Sequence, residues 1–203
     1  MHFGTPTDHE KRCFTRVLQG HITLADAVFP SGTSGHLIDS FARMALWQDG
    51  LDFRHGTGHG VGHHLNVHEG PQGVSSHVRS YAGGMKAGMT MTIEPGYYEE
   101  ASEDGASGGG GGGEGGGGFG IRIENVYVTV SKETRHCFGG APGFVGFDSL
   151  TLVPFQRSLI DMSLLTSRQV EWIDAYHCSV REELGPLLEG EARAWMEKET
   201  TPL

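Results

Sequence analysis

Residues 55–68, HGTGHGVGHHLNVH, hold five of the chain's twelve histidines and place a glycine at every second position from Gly56 to Gly62. A histidine pair four apart, such as His55 and His59, suits a metal on a helix. Four glycines in seven residues argue against that helix, since each costs about 1 kcal/mol relative to alanine. In extended chain, side chains alternate between faces. His55, Thr57 and His59 then form one polar face, and the glycines leave the other bare for close backbone packing. At about 3.3 Å per residue the two imidazoles lie roughly 13 Å apart, too far to share one ion bound at about 2.1 Å. One of them is free to bind metal, and the other has a different task.

Outward from this stretch the chain reads as alternating helices and strands. Upstream, Thr7 and Glu10 form a capping box before Phe14, Val17, Leu18, Ile22, Ala25 and Val28 at helical spacing, a helix expected to run on until Pro30 and Gly32. A second helix is expected after Gly35, with Leu37, Ile38, Phe41, Met44 and Ala45 on its apolar face and a stop at Gly50. Downstream, Glu69–Gly73 (EGPQG) reads as a turn. The stretch MKAGMTMTIEPG then alternates, with Met89, Met91 and Ile93 opposite Thr90, Thr92 and Glu94, and ends at Pro95. FGIRIENVYVTV alternates again, placing Arg122 and Glu124 on one side and Ile121 and Ile123 on the other. Between the two lies GASGGGGGGEGGGG, 105–118, too poor in apolar surface to offset the entropy of ordering it. The expectation is an antiparallel hairpin with a flexible glycine-rich insertion at its tip. A further strand is expected at 149–155, a helix from Thr166 with Gln169 as capping partner, and a last helix opening at Pro186.

With 203 residues, 37% of them apolar and 20% charged, the chain has ordinary globular composition. Fifteen basic against twenty-five acidic side chains give a net charge of −10, which argues against nucleic acid and an anionic membrane as partners. Cys13, Cys137 and Cys178 are odd in number and far apart, fitting reduced thiols in the cytoplasm. Neither a signal peptide nor an apolar run of eighteen residues is present.

The chemistry concentrates on three segments carrying His55 and His59, then Glu94, then Glu124. A carboxylate beside an apolar face needs a charge partner or a metal, because burying it alone costs several kcal/mol. One histidine and two carboxylates make a plausible ligand set for a divalent ion, and Arg122 beside Glu124 would keep that carboxylate ionised.

HGTGHGVG, NVHEGP, TIEPGYY and FGIRIENV resemble the consecutive active-site strands of the cytosolic Xaa-Pro aminopeptidases, the aminopeptidase P group of creatinase-like metallopeptidases. MHFGTPT, GHLIDSFAR and LTLVPFQ extend the likeness over nearly the whole chain. The resemblance implies an α+β chain with a partial pita-bread fold, a mostly antiparallel sheet backed by helices. It implies a two-metal site, usually manganese, and a peptide substrate with penultimate proline. By motif position His59, Glu94 and Glu124 match metal ligands. His55 and His68 match histidines that contact substrate and support the transition state, and Glu94 also helps to manage the proton. Arg122 matches a residue behind the ligands, while His63 and His64 match no role.

The family's first two ligands are aspartates lying shortly before the segment like MHFGTPT, where this chain begins; Asp8, Asp26 and Asp39 fall in the expected helices instead. Residues 1–203 are therefore expected to form the C-terminal portion of a catalytic domain that binds at most one ion and has impaired activity alone. The alternative is a non-catalytic module for peptide binding or homodimerisation.

Overall fold

The Thr7–Glu10 box closes as expected: the Thr7 amide donates to the Glu10 carboxylate (2.7 Å) and the Glu10 amide to the Thr7 hydroxyl (3.2 Å), opening helix α1, Asp8–Ala25. These bonds hold the Glu10 carboxyl below its ordinary pKa. The helix ends earlier than its periodicity suggests, and Val28 lies exposed beyond it. The computed structural model describes residues 1–64, 66–77, 84–100, 118–138 and 143–203, so the glycine-rich insertion, Gly118 apart, lies outside the described residues. Contacts divide the chain into two units, Met1–Thr15 with Leu152–Leu203, and Arg16–Thr151.

In the unit Arg16–Thr151, α1 meets helix α2, Gly35–Trp47, at bare backbone: a Cβ on Gly20 would lie 2.1 Å from the Ala42 carbonyl oxygen. The buried face of α2 consists of Gly35, Ile38, Asp39, Ala42, Arg43 and Leu46. This corrects the expected face, because Leu37 and Met44 are 67% and 50% exposed. An Asp39–Arg43 ion pair at 2.7 Å lets two charged side chains enter the core side of the helix, which apolar spacing does not anticipate.

The sheet of this unit runs in the order β1 (Phe29–Pro30), β8 (Phe144–Ser149), β7 (Asn125–Lys132), β4 (Thr90–Ile93), antiparallel throughout. The expected hairpin exists but is broken in two. Past Pro95 the chain continues as β5 (Gly96–Glu99), which pairs with β6 (Phe119–Arg122), Glu99 opposite Phe119 and Gly96 opposite Arg122. The last pair of the other half is Ile93 opposite Asn125, so Glu94–Pro95 and Ile123–Glu124 face each other in a break. Proline supplies no amide to a ladder, and the Ile123 amide bonds the Pro95 carbonyl instead (3.2 Å). Glu94 thus stands at the end of its strand, as expected, while Glu124 lies in the break between β6 and β7 rather than within one continuous strand. His21 of α1 reaches this region, with Nδ1 3.3 Å from the Ile123 carbonyl and Nε2 2.7 Å from the Tyr127 hydroxyl.

In the unit Met1–Thr15 with Leu152–Leu203, α3 (Ser167–Leu184) opens with the expected Thr166–Gln169 box. The strand expected at 149–155 is absent: β8 ends at Ser149, and 150–156 has no regular structure. Side chains of α3 take the ladder's place. The Val153 amide and carbonyl bond the Tyr176 hydroxyl (3.2 and 2.9 Å), and the Phe155 amide donates to His177 Nε2 (3.1 Å). Pro154 could not have joined a central ladder. The last helix, α4, spans Gly190–Glu199, later than the start expected at Pro186, which lies in a single 3-10 turn, Gly185–Leu187. Arg157 and Arg181 cap carbonyls of the C-terminal segment at Thr200, Thr201 and Pro202.

Two buried imidazoles give the fold an acid limb. Burial pushes His21 down to about 4, against a weaker opposite pull from the Ile123 carbonyl, and burial followed by the Arg157 charge pushes His177 down to about 4. Between pH 6.5 and 4 the unfolded chain binds these protons and the folded chain does not, so stability is full above pH 6.5, falls as pH drops and levels off below 4. Each histidine contributes on the order of 3 kcal/mol to that loss. Urea midpoints at pH 7.5 and pH 5 should show a markedly smaller drop for folded His21→Gln than for the parent chain; an equal drop would exclude His21 as a source.

Candidate metal centre

The histidine segment is held against its neighbours by backbone contact on the bare side that the glycines create. A Cβ on Gly58 would lie 2.0 Å from the Thr92 carbonyl oxygen, and one on Gly60 1.9 Å from that of Glu69. Gly58–His59 form β2, paired with β3 (Gly73–Val74), and Gly60 bridges Met91 of β4. The His59 amide donates to the Thr92 hydroxyl (3.1 Å), while the Glu94 amide donates to the Thr57 carbonyl (2.7 Å). Only two of the segment's described residues are strand, yet these bonds set His59 beside the end of β4, where Glu94 follows.

His59, Glu94 and Glu124 come together, with one ligand atom from each lying within 4.8 Å of the others. His59 and Glu94 are buried, and Glu124 is exposed. His59 Nδ1 lies 2.9 Å from the Gly60 carbonyl, which fixes the proton on Nδ1 and turns the Nε2 lone pair toward Glu94 Oε1 at 3.5 Å. Two acceptors opposed in this way repel unless a proton or a cation stands between them. Arg122 Nη1 donates to Glu94 Oε2 at 3.0 Å, so the guanidinium expected beside Glu124 pairs with Glu94. Arg122 also donates through Nε to the Tyr98 hydroxyl (2.7 Å). Burial, then repulsion from Glu124, raises the Glu94 pKa against the opposing pull of His59, Arg122 and His68. The donor set, one imidazole nitrogen and two carboxylates with one facing solvent, suits a single divalent cation with open positions.

His55 is not one of the three converging donors, although Arg122 and Glu124 lie near enough to act on its charge. Its Nδ1 lies 2.7 Å from the Gly56 carbonyl, its ring packs on Phe53 and Tyr98 (4.7 and 5.5 Å between centroids), and its buried Nε2 has no protein partner. Burial is the largest influence on it and lowers its pKa. Asp52–His55 and Tyr97–Glu100 line a cleft of about 720 Å³. His68, exposed, sets its ring edge-on to His59 at 4.1 Å; His63 and His64 are exposed. Sequence reasoning passed over Thr92, Tyr98 and the Asp39–Arg43 pair. Only the last left a signal, opposite charges one helical turn apart.

A model of metallopeptidase family M24 matches residues 1–131, and one of the C-terminal region of the same family matches residues 143–203. The chain belongs to metallopeptidase family M24. Over its whole length this M24 chain is 50% identical to a probable Xaa-Pro aminopeptidase P of Laccaria bicolor, of which it covers 29%. It is 47% identical to aminopeptidase P2 of Arabidopsis thaliana and covers 26% of it. A crystal structure of X-prolyl aminopeptidase from Caenorhabditis elegans, described as a cytosolic enzyme with a di-nuclear active site, superposes with a TM-score of 0.81 at 40% identity. It matches 99% of this chain, which covers 30% of that one. The M24 chain thus spans less than a third of each of these relatives. Its helices and mostly antiparallel sheet are an α+β, partial pita-bread fold. Among the described residues no helix is long and apolar enough to cross a membrane.

The glycine contacts are testable apart from any activity. Gly58→Ala must part the backbones of β2 and β4 and should cost at least about 2 kcal/mol. Gly56→Ala, whose Cβ would meet its nearest atom at 3.6 Å, should stay within about 0.5 kcal/mol. Thermal melts of both variants check this, and equal losses would contradict the close-packing argument.

Proposed function

We propose that this chain is the C-terminal portion of the catalytic domain of an Xaa-Pro aminopeptidase. In this reading it holds one divalent cation, manganese, between His59, Glu94 and Glu124, and takes a peptide with penultimate proline. The observation that carries the reading is the convergence of His59, Glu94 and Glu124, with one donor atom from each within 4.8 Å of the others. The sequence likeness to Xaa-Pro aminopeptidases supports the substrate class.

When bound, the cation polarises a peptide carbonyl and acidifies coordinated water. The side chains supply the rest. Glu94, whose pKa burial raises, is suited to hold and release a proton at the carboxylate oxygen facing His59. Arg122, on the other oxygen, fixes the carboxylate plane. His55, whose buried Nε2 has no hydrogen-bond partner in the protein, lines the cleft with Phe53 and Tyr98 and is the side chain we assign to the peptide contact. His68 takes the role of donating to a developing oxyanion in this reading, which its exposure and its ring contact with His59 support.

Charge limits the stoichiometry. Glu94 and Glu124 neutralise one divalent ion; a second would leave two uncompensated positive charges near the Arg122 guanidinium. Family peptidases are expected to offset these with two further aspartates, and none joins the three donors among the described residues. Binding is therefore weak and single, and the chain alone hydrolyses little or nothing. A second reading is a non-catalytic module for peptide binding or homodimerisation. The exposed row Leu37, Met44 and Trp47 on α2 favours self-association. A cytoplasmic location accords with the relative described as cytosolic.

Calorimetric titration with manganese should give one site, weakened at least tenfold in Glu124→Gln. Two tight sites, or no binding, would overturn the metal assignment. Turnover of an Xaa-Pro tripeptide near that of a complete peptidase would contradict the expected impairment.

A further inference from the structure

Residues 51–57 carry both His55 and Thr57, and no regular structure holds them. Their backbone polar groups nevertheless need partners, and the buried face of α2 provides them. The Arg43 side chain is 4% exposed and uses all five of its N–H donors. Nε donates to Asp39 Oδ2 (2.7 Å) and Nη2 to Asp39 Oδ1 (3.4 Å). Nη1 donates to Asp52 Oδ1 (2.8 Å) and the Phe53 carbonyl (2.6 Å), and Nη2 also to the His55 carbonyl (3.1 Å). The guanidinium lies 3.9 Å from the centroid of the Phe53 ring, which in turn packs on the His55 ring. Asp39, 3% exposed, accepts a further bond from the buried Thr57 hydroxyl at 2.6 Å. The Thr57 carbonyl then receives the Glu94 amide at 2.7 Å.

We propose that Asp39 and Arg43 are positioning residues of the M24 site, setting His55 through its carbonyl and Glu94 through Thr57, so that helix α2 acts together with the strand ends in fixing them. The inference rests on the reading of Glu94 as a ligand and His55 as a peptide contact. An ordinary core pair of this burial would need only mutual compensation. Here the arginine's remaining donors all go to one short segment, and the aspartate's extra bond goes to the residue that holds Glu94. Lysine keeps the charge but has no planar fork and cannot make these bonds together.

The test uses the full 203-residue chain and reads amide hydrogen exchange by NMR without metal, then manganese binding by calorimetry. In Arg43→Lys the Glu94 amide should exchange at least tenfold faster, while the β7 amides of Val128 and Val130 keep their protection. The manganese dissociation constant should rise at least tenfold. Thr57→Val removes one bond and spares the ion pair, so it reports if Arg43→Lys does not fold; a threefold acceleration at Glu94 is expected there. Unchanged Glu94 exchange in a folded variant, or equal acceleration at Glu94, Val128 and Val130, would overturn the proposal, because uniform acceleration reports a loss of global stability and not of a local hold on Glu94. If the parent chain takes up no manganese while Glu94 exchange still responds, the metal reading fails and the positioning role stands.

Discussion

The site depends on two backbones lying closer than any side chain allows. Gly58 rests on the Thr92 carbonyl and Gly60 on that of Glu69, at separations where a methyl group would overlap an oxygen. This contact brings β2 under the end of β4 and makes His59 a neighbour of Glu94. It also lets the Thr57 carbonyl and the Thr92 hydroxyl collect the Glu94 and His59 amides. A segment with almost no ladder of its own is thereby fixed by contacts on both faces, glycine backbone on one and hydrogen-bonded side chains on the other.

Electrostatics then explains why a site stands here. Breaking the hairpin at Pro95 and at Ile123–Glu124 sets two carboxylates opposite each other, one of them buried. Burial, then the like charge of Glu124, raises the pKa of the buried member, and the pull of His59 and of the guanidinium on one oxygen compensates only in part. Arg122 therefore leaves the other Glu94 oxygen, Glu124 and the His59 nitrogen as an electron-rich hollow. Stability alone would favour apolar residues at such positions, and the proposed cation would supply the compensation that this polar set lacks.

Much of this was legible in the chain's pattern. Alternating glycine excluded a helix and marked the bare face, the Thr7–Glu10 and Thr166–Gln169 boxes marked two helix starts, and the period of two found the strand at 90–93. The resemblance of its motifs to the aminopeptidase P strands singled out His59, Glu94 and Glu124, which the fold does bring together. The misreadings share a cause. Period-based reasoning assigns polar groups to solvent and backbone groups to ladders. Leu152–Phe155 satisfies its backbone with Tyr176 and His177 side chains instead, and α2 buries charge through Asp39 and Arg43. Arg122 was matched with Glu124 because alternation shows only which face a residue takes, not which strand end lies opposite.

The sequence by itself determined the kind of chemistry, the family and where chain direction must change, because those follow from residue type and from local conformational cost. Only the tertiary structure decided which lone pairs meet, which carboxylate the arginine serves and which helix face goes inward. Those outcomes turn on distances of a few ångströms between residues far apart in the chain, and no local preference encodes them.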